Sequence, residues 1–440
     1  MPKPGRGDLL EPLDLSEPQI QLAFLNSLSP RVFVVTGTLP GEAGVGEIIL
    51  RDLVAATPEI ELGFFGVLPR NLSLERFRGG ATKLVGSAMR RYETAYRPVG
   101  GRIGELIAAA GMQTLFRRQV GRGVKEAVRI GRQFRPDFVW AILDCPTTIF
   151  AAVSIASQLN VPLRVLVWDA PELLAQQLNY DRFSTNALLR QFATVLRSAE
   201  RIAVVGETMQ QAYRDRYGAK SLIVRHGLAA EEWRTPSAEF QNPTDLVIGY
   251  AGSNTAPDAF DTLVQCLDSH GWRIAGRNVV LRLVGVRYLL NARGPQQVEY
   301  FGWRRVSETV NLMAATDVLY LPQPFSERLR PLAELSFPTK LSTYLAAGRP
   351  ILLHAPTYAA VVPFFDRYPF GEWCSSLNGD DLGSQLTRLA TDHAVRETAC
   401  AAISAARQEE LNADRFIRSF REFLDPVAVR RPDVASTSLV

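Results

Sequence analysis

Ser336-Phe337-Pro338-Thr339-Lys340 opens a short helix that closes at Ala347-Gly348-Arg349-Pro350. Apolar runs flank it, Val318-Leu319-Tyr320-Leu321 before and Ile351-Leu352-Leu353 after. Unbroken apolar runs bounded by turn residues read as strands buried on both faces, as in a parallel sheet. A strand, a long polar loop, a helix start and a second strand make one crossover of an open α/β sheet, which binds its ligands at the strands' C-terminal ends. Lys340 sits just inside the helix start, where a cation is unfavourable unless an anion joins it. A phosphorylated ligand is therefore expected at this point.

The same alternation extends in both directions. Upstream, strands are predicted over 246–250, 279–284 and 298–303, with helices over 258–269 and 307–315. The first of these strands runs into the small-residue turn Ala251-Gly252-Ser253, and the second ends at Gly285. Downstream, helices are expected over 380–391 and 413–420. The first half repeats the pattern: strands over 31–36, 60–67, 138–143, 163–168, 201–205 and 221–225, with helices between them, two of which lie over 107–116 and 120–134. Residues 229–245, rich in Pro, Asn and acids, read as a linker. The expected fold is α/β, with two Rossmann-like domains facing across a cleft. The expected boundaries are a loose leader at 1–29, a first domain at 30–228, a second at 246–410, a helix at 411–425 packing back toward the first domain, and a disordered tail at 426–440.

The chain has 440 residues, 47% of them hydrophobic and 21% charged, with a net charge of +4. These are the values of a soluble two-domain protein. The charge is unevenly spread. Residues 71–135 hold fourteen Lys/Arg and four Glu, a net +10, so the remainder carries −6. Either the helices there cover the sheet and display solvated arginines, or part of their face meets anionic lipid head groups. No nucleic-acid partner is expected. Four scattered cysteines fit a reducing cytoplasm, with the inner membrane face as a possible location. No signal peptide and no run long enough to span a bilayer is read from the sequence. The four histidines form no local zinc motif, and no metal site is expected.

After the first strand, Gly37 to Glu47 forms a glycine-bearing loop containing Gly44 and Gly46. It is neither GxGxxG nor GxxxxGK[ST], which leaves a sugar- or phosphate-approaching loop or a plain cleft lining. Asp144 and Asp169 each follow a predicted strand. That position serves either a ligand or a helix cap or turn.

Several blocks, in order from Arg31 to Leu424, resemble the GT-B glycosyltransferases of the family 4 type: Arg135-Pro136-Asp137-Phe138-Val139, Ala203-Val204-Val205-Gly206-Glu207, and Val224-Arg225-His226-Gly227. Two further blocks carry most of the specificity. They are Tyr300-Phe301-Gly302 followed by Met313–Pro322, and Pro338-Thr339-Lys340 followed by Tyr344-Leu345-Ala346-Ala347-Gly348-Arg349-Pro350-Ile351. The resemblance implies a hexosyltransferase that moves a sugar from a nucleotide-diphosphate sugar to a glycan or lipid-linked acceptor with retention of configuration, with no cofactor beyond the substrate itself. Lys340 would then stabilise the leaving diphosphate, helped by Pro338-Thr339, by Gly252-Ser253 and by the Arg304-Arg305 turn. The base would lie near Gly285 and Trp303, and the acceptor would enter past Gly44, Gly46 and Asp169. This sequence departs from the pattern at a pair of glutamates, which fall here on Leu335 and Thr343. Glu334 stands one residue from the first of them and might substitute for it. The departure keeps a non-catalytic binding protein open beside the transferase, with a sugar epimerase on the same fold as a third reading.

Overall fold

The computed structural model describes residues 30–42, 44–68, 89–90, 101–285, 287, 290–293 and 297–425. The leader 1–29, the tail 426–440 and, within the cation-rich segment, residues 71–88 and 91–100 lie outside them.

Two seven-stranded sheets form the two halves. The first runs β3-β2-β1-β4-β5-β6-β7, with β1 at Arg31–Thr36, β2 at Glu61–Leu68, β3 at Met89–Arg90, β4 at Phe138–Ile142, β5 at Leu163–Val167, β6 at Arg201–Val204 and β7 at Leu222–Ile223. Every pairing in it is parallel. The second runs β11-β10-β8-β12-β13-β14, with β8 at Asp245–Ala251, β10 at Arg277–Val284, β11 at Gln297–Gly302, β12 at Val318–Pro322, β13 at Ile351–His354 and β14 at Gly371–Cys374. The short β9, Arg273–Ile274, lies antiparallel on β10. Strands β4, β5, β12 and β13 are buried along their whole length, as their unbroken apolar runs require.

In each sheet the strand order reverses once, between β1 and β4 in the first and between β8 and β12 in the second. Crossovers leave to opposite sides at such a point and open a crevice beyond the strands' C-terminal ends. In the first sheet the protein fills this point itself. Gly37 N–H donates to Asp144 Oδ1 at 2.9 Å, and Thr36 Oγ1 lies 3.3 Å from Oδ2. Asp144 thus ties the β1 loop to β4, the turn-holding alternative read from the sequence.

The halves are joined by packing as well as by the linker. Leu335, 3% exposed, belongs to the apolar core of the first half although it ends a helix of the second, Arg330–Leu335. Phe337 lies under the Arg225 guanidinium, 4.0 Å from its ring centre, and Arg225 pairs with Glu207. Arg367 of the second half reaches the same Glu207 at 3.0 Å. The final helix, Ala413–Leu424, lays Phe416, Phe420 and Phe423 on the first sheet, with Phe420 5.0 Å from Trp140.

Several elements differ from the sequence reading. The two helices expected over 107–134 are one, Gly101–Phe134, of 34 residues. Its glycines interrupt the apolar period, but Phe116, Val120, Val124 and Val128 still face one way and pack on the first half. The helix Arg330–Leu335 occupies the stretch read as a polar loop, and the helices Pro171–Gln177 and Val362–Arg367 were not predicted; each has proline in its first turn. Strand β14 and the helix His393–Glu409 were likewise not predicted.

Candidate active site

A cleft of about 380 Å³ lies between the halves, at the C-terminal ends of both sheets. Gly46, Trp168, Asp169, Arg225 and His226 line it from the first half. Gly252, Ser253, Gln323, Pro338, Thr339 and Lys340 line it from the second. A larger groove of about 750 Å³ runs outside, along the final helix and the linker. Volume alone would favour that groove, but it lies away from both switch points, and a charge on its wall is already engaged: Arg415 pairs with Glu410 at 3.2 Å.

Lys340 is the chemical centre of the cleft. It opens the eight-residue helix Lys340–Ala347, beside the switch point between β8 and β12. Its Nζ donates to Tyr250 Oη at 2.6 Å and to the Ser253 carbonyl at 2.7 Å, and it lies 4.2 Å from the Tyr250 ring centre. Among the described residues it forms no ion pair with a carboxylate. Burial alone pushes its ammonium down to about 7, since nothing charged opposes it. Tyr250 cannot supply that charge, because burial drives its phenol well above the ordinary range and keeps it neutral. An ammonium has three N–H donors, so one remains for a ligand.

Two glycines let the lysine lie flat on the backbone. Gly252 has φ +98°, and a Cβ there would come 3.1 Å from Lys340 Cε. Gly285 has φ +117°, and its Cβ would meet the Gly252 carbonyl oxygen at 2.9 Å. Any side chain at either position is strained and pushes the β8 turn away from Lys340.

Asp169 faces Lys340's half from beyond the end of β5. It is bridged across the cleft, accepting a hydrogen bond from Ser336 Oγ at 3.0 Å. Burial raises its carboxyl above the ordinary carboxylate value, and the serine bond partly offsets this. Close by, Ser342 Oγ donates to the His226 carbonyl at 2.7 Å, a second bond between the halves.

The structure thus brings together Gly46, Asp169, Gly252, Ser253, Pro338, Thr339 and Lys340, with Gly285 directly behind Gly252. It leaves Gly44, Trp303, Arg304, Glu334 and Thr343 outside the cleft lining. Gly44 is the residue before the helix Val45–Ala55. Trp303 is 51% exposed, in the turn after the edge strand β11. Arg304 donates to the Trp303 carbonyl at 2.9 Å, and Arg305 Nε stands 3.9 Å from Glu42 Oε2. Glu334 pairs with Arg330 at 3.2 Å, one helical turn back. Leu335, on the first of the two glutamate positions, is committed to packing between the halves. Sequence reasoning missed Tyr250, Trp168, Gln323 and Ser336 as parts of the site, and took Arg225-His226 only as a strand end. The only local signal for Tyr250, Trp168 and Gln323 was position, since each lies at or just past the end of an apolar run.

Among the described residues no group of three or more His, Cys, Asp or Glu is placed to hold a metal ion, and no helix is long and apolar enough to cross a membrane.

No family model matches the chain, and no curated protein matches it in sequence. Solved structures do match. Sucrose-phosphate synthase from Thermosynechococcus elongatus superposes with a TM-score of 0.64 at 12% identity, covering 91% of this chain and 100% of that one. Anabaena HepE in complex with UDP and glucose gives 0.59 at 14%, covering 89% and 99%. The α,α-trehalose 6-phosphate synthase of Burkholderia multivorans gives 0.58 at 12%, covering 91% and 99%. With two sheets of the same topology facing across one cleft, the chain has the GT-B fold of the glycosyltransferases on which it superposes.

Proposed function

We propose that the protein is a glycosyltransferase that moves a sugar from a nucleotide-diphosphate sugar to a glycan or lipid-linked acceptor. The observation that carries this reading is Lys340, a cation at a sheet's switch point with neutral partners and, among the described residues, no carboxylate. A diphosphate supplies the charge that the protein withholds. In the reaction the bond from the sugar's anomeric carbon to the diphosphate oxygen breaks, the acceptor oxygen bonds to that carbon and passes its proton to the departing diphosphate, and negative charge grows on the leaving oxygens. Lys340 and the backbone around Gly252-Ser253 meet that charge where it develops. Asp169 Oδ1 accepts from Ser336, which leaves Oδ2 to accept a hydrogen bond from the acceptor hydroxyl and orient it. The neighbours support a uridine donor: HepE was solved with UDP-glucose, and an E. coli trehalose-6-phosphate enzyme with UDP-2-fluoro glucose. Retention of configuration, a role in surface polysaccharide or glycoconjugate synthesis, and action at the cytoplasmic face of a membrane complete the proposal. Retention follows the family resemblance; the cation-rich 71–135 segment supports the membrane.

A thermal-shift screen with UDP-, GDP-, ADP- and dTDP-sugars identifies the donor, because a ligand bound only by the folded state raises its melting temperature. Lys340→Ala should then lower turnover of that donor by about a hundred- to a thousandfold in a chain that still melts cooperatively. Unchanged kinetics would overturn the proposal. Leu335 and Thr343, in place of the pair of glutamates, favour one second reading, a binding protein that holds the nucleotide sugar without turning it over. Donor binding with no sugar released to any acceptor or to water would support that reading.

A further inference from the structure

The helix Gly101–Phe134 has a buried side and an exposed side of unusual composition. Ile103, Leu106, Ile107 and Ala110 follow helical spacing on one face, and all are exposed; Ile103 is 75% and Ile107 70% accessible. Continuing along the same face at the same spacing come Thr114, then Arg117, Arg118 and Lys125, also exposed. The face is therefore apolar in its first three turns and cationic in the next three. Its position is fixed by Phe116, which packs edge-on against Phe150 at 5.2 Å. Phe150 lies in the first turns of Pro146–Leu159, the helix that leaves the C-terminal end of β4. The residues before Phe116 thus extend past the C-terminal edge of the first sheet, the edge that opens on the cleft. At 1.5 Å per residue, positions 103 to 115 span roughly 18 Å.

We propose that this face enters an anionic lipid bilayer tip first, with Ile103, Leu106 and Ile107 among the acyl chains and Arg117 and Arg118 facing the head groups, so that the cleft takes a lipid-linked acceptor directly from the membrane surface. Charge selects the bilayer over a second copy of this chain. A two-fold pairing along the face sets either cations against cations or cations against apolar side chains. The helix has only two acids, Glu105 and Glu126, and Glu126 is engaged by Arg129 at 2.6 Å. A bilayer with anionic head groups matches both halves at once. The inference deepens the acceptor side of the glycosyltransferase reading, and its test does not depend on turnover.

The full-length protein is floated with vesicles of phosphatidylcholine containing about 30% phosphatidylglycerol, and with phosphatidylcholine alone. Binding is expected to the mixed vesicles only, and to weaken as salt rises. The double variant Ile103→Asp/Ile107→Asp should lower it by at least about tenfold, because it puts two charges where apolar burial drives insertion. The same variant should keep the wild-type melting temperature and nucleotide-sugar binding. A fluorophore on Ile107→Cys should shift to the blue on adding vesicles, and one on Arg118→Cys should shift less, both in a Cys400→Ser background. No binding at low salt would overturn the proposal, as would binding untouched by the two aspartates. So would a vesicle-free dimer that those aspartates dissolve, or a label at 107 already buried without lipid. Loss of nucleotide-sugar binding in the wild type, with vesicle binding intact, would strike the glycosyltransferase reading alone.

Discussion

At the switch point of the first sheet stands a carboxylate, Asp144, which the chain satisfies from within through Gly37 N–H and the Thr36 hydroxyl. At the switch point of the second stands a cation, Lys340, whose partners are a neutral phenol and a carbonyl. The topology is shared, yet one point is closed by the protein and the other is left one charge short. A group that completes its own interactions holds a fold together, whereas a group that does not is held ready for a ligand, and the protein bears the cost of burying it.

Removing either group should separate these roles. The largest effect is expected from Lys340→Ala, a loss of about a hundred- to a thousandfold in donor turnover, the scale of one charge-stabilising contact in a transition state. Its melting temperature should equal or exceed that of the wild type. Next comes Leu335→Ala, which empties a buried position between the halves and should destabilise the fold by about 3 kcal/mol in urea unfolding. Asp144→Ala should lower stability by about 1–3 kcal/mol, through the donors it strands, while leaving nucleotide-sugar affinity near that of the wild type. Equal loss of donor affinity in Asp144→Ala and Lys340→Ala would erase the contrast between the two sheets.

A smaller effect follows from pH. The free lysine titrates near 7, so it is charged below that pH and neutral above. Affinity for a nucleotide-diphosphate sugar, whose phosphates do not titrate in this range, should be level below pH 7 and fall by about tenfold per unit above it, until the pKa of the bound state is reached. Lys340→Met should show no such slope. The sign for stability is opposite. The folded pKa lies below the unfolded one, so the penalty of burying the charge is full below pH 7 and is relieved as pH rises toward the unfolded value. Wild type should therefore gain stability relative to Lys340→Met across that window, read from paired melting curves. The smallest effect is expected at Glu334→Gln, within about 0.5 kcal/mol in stability, since its partner is Arg330 on the helix surface. Its donor kinetics should be near those of the wild type.

The strands and their order of appearance were legible because Val318–Leu321 or Val32–Val35 can only be buried on both faces of a sheet. Lys340 and Gly252 were legible for a similarly local reason: a lysine at a helix start and a glycine at a strand end are each costly without a purpose. Helix Arg330–Leu335 was not, because its few residues carry no period and its stability comes from Leu335 entering the other half's core. Tyr250 escaped notice since its role is set by a lysine ninety positions away. Trp303, Arg304 and Glu334 were expected at the cleft as a base contact, a phosphate ligand and a stand-in for the family's glutamate. An edge strand and a helical turn carry them out of its lining.

The central claim is that Lys340 waits for a diphosphate. Isothermal titration of UDP-glucose, GDP-mannose, ADP-glucose and dTDP-glucose into wild type and Lys340→Met, at a pH below 7, tests it most directly. At least one should bind the wild type and lose about tenfold or more in the variant, the cost of one charge-assisted contact. Binding of the same sugar with equal affinity to both proteins, or of none to either, would contradict it.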